Sequence, residues 1–415
     1  VIDYDEALRL LLAGVDPLPA GQVSTHDAIG RVLVADVASG ESLPPFDNSA
    51  MDGFALAAGV DGLGPGTELD VVGERAAGDS YLRLDGGAIE IMTGAPMPAG
   101  ADAIVPVEQV EILARDAAGR PARIRLAAAV RPGQHLRRAG EDVRAGEVLL
   151  AQGRLLREAE ATLLMATGIA RVAVRRRPRV ALVTTGRELV DDPSASLAPG
   201  HIRNSNAPFL AARLVAAGAD VVLRETVADD ATAFRATLAR AQTARADLVL
   251  TTGAVSMGRY DFIPAVLEAQ AATLLFHKVR IRPGKPILAA RLADGTRFVG
   301  LPGNPASTAV GLRFFVEPML RAMLGLPRER LPRLPLAQPY AKRVPLRMHL
   351  KARVALDAEG GVRVHVLGGQ ESFRIRPLVD ANAWVVVPAD VDALDAGALV
   401  EVAGRGHLEP VPLEA

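Results

Sequence analysis

Apolar residues Ala7, Leu8, Leu11 and Leu12 recur at helical spacing and predict a short amphipathic helix over residues 3–13. A run of alternating and branched residues, Arg31 to Val37, predicts a strand. Residues 43–53, Leu-Pro-Pro-Phe-Asp-Asn-Ser-Ala-Met-Asp-Gly, break every rhythm and predict a turn-rich loop. From 54 to 145, short apolar runs such as 103–107 and 110–113 sit among glycines and prolines, the pattern of a β-rich region. Helical spacing returns over 154–168 and stops at Gly168.

The texture changes at Arg175-Arg176-Arg177-Pro178. Beyond it, compact apolar strands at 180–183, 221–223, 247–250 and 298–301 alternate with helices. One helix is predicted over 207–217 with Asn206 as N-cap and Gly218 as its stop; another over 231–243 is capped by Asp230. Continuous apolar strands between helices predict a parallel sheet covered on both faces. A proline-rich linker runs from 326 to 339, and the tail, with alternation at 351–356 and 362–366, predicts a small β-barrel or sandwich. The expected fold is multidomain α/β plus β. An N-terminal domain of mixed helix and extended chain covers 1–53 with 140–174, and a β-rich insertion covers 54–139. A doubly wound α/β domain covers 175–327, and a small β-barrel covers 335–415.

Composition narrows the function. With 415 residues, roughly three domains are expected from length alone. No run of about 18 apolar residues exists, so no membrane helix is expected. The first six residues are acidic and lack a signal-peptide pattern; with zero cysteines, the expected compartment is the cytoplasm. The missing thiols exclude cysteine nucleophiles and cysteine-based metal centres. Net charge −1 and 4% aromatic residues give no basis for nucleic-acid binding. Among 47 basic residues only four are lysines, and Lys278 and Lys285 share the stretch His277-Lys278-Val279-Arg280-Ile281-Arg282-Pro283-Gly284-Lys285-Pro286. A lysine in an arginine background marks a place for a compact, mobile ammonium, and Pro-Gly punctuation predicts a rigid cationic hairpin or loop fit for an oxyanion.

Three strands of the α/β region run into small polar loops: 184–188, 251–258 and 302–308. Open α/β sheets bind ligands at the carboxyl ends of their strands, where small residues let backbone amides approach an anion. Asn304 before Pro305 is good helix-start chemistry. The same loops carry Glu188, Asp229, Asp230 and Asp261, and carboxylates beside an anion require a divalent cation between them, which points to Mg²⁺. A phosphate-binding P-loop signature is absent, and Gly62-Leu63-Gly64-Pro65-Gly66 lacks dinucleotide spacing. Ala254-Val255-Ser256-Met257-Gly258 approaches a serine nucleophile elbow, but His277, His349, His365 and His407 stand in no supporting motif.

Several stretches in order carry a family likeness: 44–53, Ile91-Met92-Thr93-Gly94-Ala95-Pro96-Met97-Pro98, Gly140-Glu141-Asp142-Val143, the three α/β loops, Arg282–Pro286 and Leu301–Pro305. Together they resemble the MoeA family, the molybdopterin molybdenumtransferases, related to the C-terminal half of gephyrin. The resemblance implies an elongated four-domain homodimer whose α/β domain is similar to the MogA adenylyltransferase. It implies that adenylylated molybdopterin and molybdate react to give molybdenum cofactor, with Mg²⁺-dependent release of AMP, and that other cofactor-biosynthesis proteins and acceptor molybdoenzymes are partners. A non-catalytic cofactor carrier or scaffold of the same fold is the alternative. By position, the resemblance makes Asp52, Glu188, Asp229 and Asp261 catalytic, the last three holding the metal. It assigns substrate contacts to Thr93, Asp142, Ser256, Lys278, Arg282, Lys285, Pro302, Pro305, Arg347 and Ser372. Thr93 and Asp142 come from the β-rich part, so the resemblance implies that they act across a dimer interface. Arg187 and Arg282 depart from the residues usual in the family.

Overall fold

The structure is a computed structural model that describes residues 1–254 and 262–411. It falls into two compact units. One comprises Val1–Gly21, Gly30–Val32 and Val174–Ala415; the other comprises Gln22–Ile29 and Leu33–Ala173.

The first unit is built on a six-stranded sheet in the order Asp220–Val227, Arg179–Thr185, Leu248–Thr252, Arg297–Leu301, Leu288–Arg291 and Thr273–His277. The first four strands are parallel. Leu288–Arg291 runs antiparallel to both its neighbours, Arg297–Leu301 and Thr273–His277, which the expectation of a purely parallel sheet did not include. The cause is loop length: a parallel return needs a crossover of a dozen or more residues, and the chain between His277 and Leu288 is too short for one. Alternation along the parallel strands fills two cores. Val180, Leu182, Leu248, Leu250, Val299 and Leu301 face the one containing Leu210 and Leu214. Ala181, Val183, Val249 and Phe298 face Phe234 and Leu238 on the other side.

The helices start where local chemistry satisfies their free amides. Helix Ala231–Thr243 is capped as expected, with the Asp230 carboxylate accepting the Ala233 amide at 2.7 Å. Helix Asn206–Ala216 starts one residue earlier than expected. Asn204, not Asn206, receives the Ala207 amide at 3.1 Å, which frees the Asn206 side chain to donate to the Gly303 carbonyl at 2.7 Å. The N-terminal helix, Tyr4–Leu12, buries Tyr4, Ala7, Leu8 and Leu11, with Leu12 only partly covered.

The tail forms a second sheet in the order Ile281–Arg282, Arg347–Leu356, Ala383–Val387, Leu399–Gly404, Arg333–Pro335, with Val362–Val366 paired to Arg347–Leu356. A bridge between Leu336 and Val364 joins its far edges and closes the small barrel around Leu350, Ala352, Val354, Val385 and Val402. Part of the expected linker is thus the strand Arg333–Pro335. The cationic stretch connects the antiparallel pair Thr273–His277 and Leu288–Arg291, with the Lys278 amide donating to the Ile287 carbonyl and the Val279 amide to the Lys285 carbonyl, both at 2.9 Å. After Lys278, held at φ +73°, it gives the strand Ile281–Arg282, which runs parallel to the start of Arg347–Leu356.

The second unit holds a six-stranded sheet in the order Ala103–Pro106, Gly53–Leu56, Ala88–Ile91, Glu68–Arg75, Pro121–Leu126, Val110–Arg115. Phe54, Leu56, Val105 and Ile124 fill its core. Of the strand expected over 31–37, only Val37–Ala38 forms. Leu33 and Val34 instead donate to Arg154 and Ala173, on two different segments, so no single ladder can extend. The helix expected over 154–168 is Glu158–Ala166, started by Glu160, which accepts the Arg157 amide and pairs with Arg154.

Candidate active site

A crevice of about 720 Å³ opens at the carboxyl ends of the parallel strands in the first unit. The loops after Arg179–Thr185, Leu248–Thr252 and Arg297–Leu301 form three of its walls and bring Glu188, Pro302 and Pro305 together with Asp229, which follows the strand Asp220–Val227. The close approach of two walls dictates a glycine. Gly253 has φ +89°, and a Cβ there would lie 2.5 Å from the Thr185 carbonyl oxygen. Beneath the crevice, the buried Asn204 amide reaches the Thr184 hydroxyl at 2.8 Å and the Asp191 carboxylate at 2.9 Å, fixing the loop that leads into helix Asn206–Ala216.

The crevice keeps both donors and acids. The amides of Gly303 and Asn304 donate to no described group. Glu188 and Asp229 make no ion pair with a described residue, and Asp229 accepts only a long bond from the Arg187 amide at 3.4 Å. Among the described residues no group of three His, Asp or Glu side chains is placed to hold a metal ion. Two such carboxylates still fit Mg²⁺, which is commonly held by one or two carboxylates together with substrate phosphates and waters. Asp261 and Ser256 lie outside the described residues.

The fourth wall comes from the barrel. Ser372 accepts the Asn304 side-chain amide at its Oγ, 3.1 Å, and the Ala306 amide at its carbonyl, 3.0 Å. Next to it Phe373 and Ile375 line the crevice while 63% and 47% exposed, an apolar rim that the sequence reading did not single out. Their mark in the sequence is bulky apolar residues alternating with charges in Glu371-Ser372-Phe373-Arg374-Ile375-Arg376. Lys351 was also passed over. It is 1% exposed, and its ammonium donates to the Gly369 carbonyl at 2.7 Å and the Glu371 carbonyl at 3.3 Å, anchoring this loop. Burial pushes its pKa down.

Other expected residues stand elsewhere. Lys278, Arg282 and Lys285 do not line the crevice, although Pro286, next to Lys285, does; none of the three cations pairs with a described residue. Arg347 lines a different cavity, stacked 4.3 Å above the Tyr4 ring. Asp52, Thr93 and Asp142 belong to the second unit. There the Thr93 amide and hydroxyl donate to one Asp52 oxygen at 2.7 and 2.8 Å, and these bonds hold the Asp52 carboxyl below its usual pKa. The turn leading out of the Pro44–Gly53 motif is shaped by Gly53, where any Cβ would collide with the Val105 carbonyl. A serine-hydrolase site gains no histidine from the two buried ones. His349 packs 4.2 Å from the Phe314 ring, and the His407 ring meets the Ala217 carbonyl at 3.1 Å.

A strand-end crevice whose amides and carboxylates are unpaired among the described residues, in a sheet covered by helices on both faces, defines the class, a multidomain α/β protein. Comparison with known proteins gives the family. Residues 2–168 match the MoeA N-terminal region (domain I and II), 181–322 a probable molybdopterin binding domain, and 333–403 the MoeA C-terminal region (domain IV). A molybdopterin molybdenumtransferase of Synechococcus elongatus is 39% identical over 411 residues, 97% of this chain and 99% of that one. One from Bacillus subtilis is 32% identical over 97% of this chain and 93% of its own. The crystal structure of a molybdopterin biosynthesis MoeA protein from Pyrococcus horikoshii superposes with a TM-score of 0.76 at 28% identity, covering 97% of this chain and 100% of that one. The chain belongs to the molybdopterin molybdenumtransferase family, transferases of molybdenum cofactor biosynthesis.

Proposed function

We propose that the chain inserts molybdenum from molybdate into adenylylated molybdopterin and releases AMP, and that the strand-end crevice is where this happens. The observation that carries the reading is that one crevice holds Glu188 and Asp229, with no ion pair among the described residues, beside the Gly303 and Asn304 amides, which donate to no described group. The amides bind phosphate oxygens, and the apolar rim of Phe373 and Ile375 covers the flat part of the ligand and keeps water from it. Glu188 and Asp229, with Asp261, would hold Mg²⁺. When bound, Mg²⁺ supplies neutralisation of phosphate charge between ligand and acids. Ser372, Pro302 and Pro305 shape the crevice wall, and Ser256 is proposed to contact the substrate. Lys278, Arg282 and Lys285 supply positive potential near Pro286 that favours an incoming oxyanion. Asp52, Thr93 and Asp142 serve the crevice of a second copy in a homodimer. Arg347, which lines another cavity, would reach the substrate only from there.

The test is turnover of adenylylated molybdopterin with molybdate and Mg²⁺ by Glu188→Gln and Asp229→Asn. AMP release is expected to fall by about a hundredfold or more in each. Full turnover by both variants, or turnover indifferent to a chelator of Mg²⁺, ends the assignment.

A further inference from the structure

We propose that a second cavity in the first unit is a binding site for a small organic anion that carries an apolar body. The cavity, about 570 Å³, lies among helix Tyr4–Leu12, the segment 326–333 and the start of strand Arg347–Leu356. Its size is that of small-molecule sites, which run to roughly 300–1,000 Å³. It shares no lining residue with the strand-end crevice.

Charge decides what the cavity takes. Six arginines and two glutamates line it. Arg313 is neutralised by Glu329 through bonds of 2.9 and 2.6 Å, and Arg321 directs its guanidinium to the Pro327 and His407 carbonyls. Arg328, Arg330 and Arg333 are exposed and have neither an ion pair nor a side-chain hydrogen bond to a described residue. Arg347 meets Glu401 only at 3.8 Å, and its buried Nε has no acceptor. The same lining also carries an apolar set, Leu8, Leu12, Leu326 and Leu331. A neutral apolar guest would leave the arginines without a counter-charge. A bare inorganic anion would leave the leucines wet. A carboxylate, sulfonate or phosphate on an aromatic or aliphatic body satisfies both, with its head on the Arg328, Arg330 and Arg333 side and its body against the leucines.

The probe is 1-anilinonaphthalene-8-sulfonate, titrated by fluorescence into the full chain, with neutral N-phenyl-1-naphthylamine as the uncharged match. Saturable binding at one site per chain is expected, at least about tenfold tighter than for the neutral probe and weakened by added salt. The exposed pair Arg330→Glu and Arg333→Glu removes the counter-charge, and Leu12→Trp fills the apolar side. Each is expected to weaken the sulfonate by about tenfold or more while thermal midpoint and molybdenum insertion stay unchanged. Absence of saturable binding, equal affinity for the neutral probe, or unchanged sulfonate affinity in either variant overturns the proposal.

Discussion

The Glu317 carboxylate accepts the backbone amide of His407 at 2.8 Å, and both residues are buried. Burial drives them in opposite directions: the Glu317 carboxyl is pushed up to about 7, despite Arg313 and Arg213 beside it, and the His407 ring is pushed down to about 3. The ring is neutral, with Nε2–H donating to the Ala217 carbonyl and Arg321 at the other nitrogen.

These shifts set a pH dependence of stability. A raised carboxyl contributes stability that is full below its unfolded value near 4.5 and is lost as pH rises through about 7. A depressed imidazole contributes stability present above its unfolded value near 6.5 and lost as pH falls toward about 3. Between 4.5 and 6.5 the two slopes oppose. Replacing Glu317→Gln is expected to make stability rise with pH relative to the parent across 4.5 to 7, by on the order of 1 kcal/mol per pH unit. The His407→Gln difference should run the other way below 6.5. Urea unfolding at several pH values measures both, and parallel curves would contradict the assignment.

In the second unit, Thr93→Val removes one of the two bonds to Asp52 and keeps the amide. The Asp52 carboxyl should then titrate higher than in the parent and still below an ordinary aspartate, because the amide bond is the larger cause of its depression. Carbon-13 NMR titration of the Asp52 carboxyl reads this directly. An unmoved midpoint would show that the hydroxyl contributes nothing.

Gly253→Ala places a Cβ against the Thr185 carbonyl oxygen at a left-handed backbone position. The expected cost is about 1–3 kcal/mol, with loss of turnover, since the loop cannot keep its approach to the neighbouring strand. Thermal unfolding and turnover measured on the same preparation test both halves.

Lys351→Met leaves the Gly369 and Glu371 carbonyls without their donor, at about 1–3 kcal/mol. The loop they belong to carries Ser372, which holds the Ala306 amide. Hydrogen exchange at Ala306 is therefore expected to accelerate in the variant. Unchanged protection there would mean that the loop is fixed without Lys351.

Apolar strands such as Val180–Val183 were legible because both faces of the sheet are covered, so every position must be apolar. The capping by Asp230 was legible because an acidic residue directly precedes a helical pattern. Asn204 and Asn206 were not separable, since both are asparagines near one helix start, and the choice depends on the Gly303 carbonyl brought by a distant strand. The crevice acids Glu188 and Asp229 were readable from their strand-end loops. Arg347 lines the other cavity for a geometric reason. It shares a face of its strand with Lys351, four residues on, and at about 3.3 Å per residue the two stand about 13 Å apart. One strand therefore serves two cavities, Arg347 in one and Lys351 behind the rim of the other, and no local pattern says which residue faces which. Lys351 itself was hidden because a lysine on a strand reads as a solvated position until its carbonyl partners are known.

The short strand Ile281–Arg282 forms a backbone ladder with Arg347–Leu356 in the sheet of the tail. It is drawn from the middle of the α/β part but completes the edge of the barrel. An engineer who cuts the gene after residue 327 would therefore leave a strand that has lost its ladder with Arg347–Leu356 and a sticky edge in its place. In this unit the smallest transplantable part is larger than either sheet, and its recombination boundaries lie where no boundary in the chain order would suggest them.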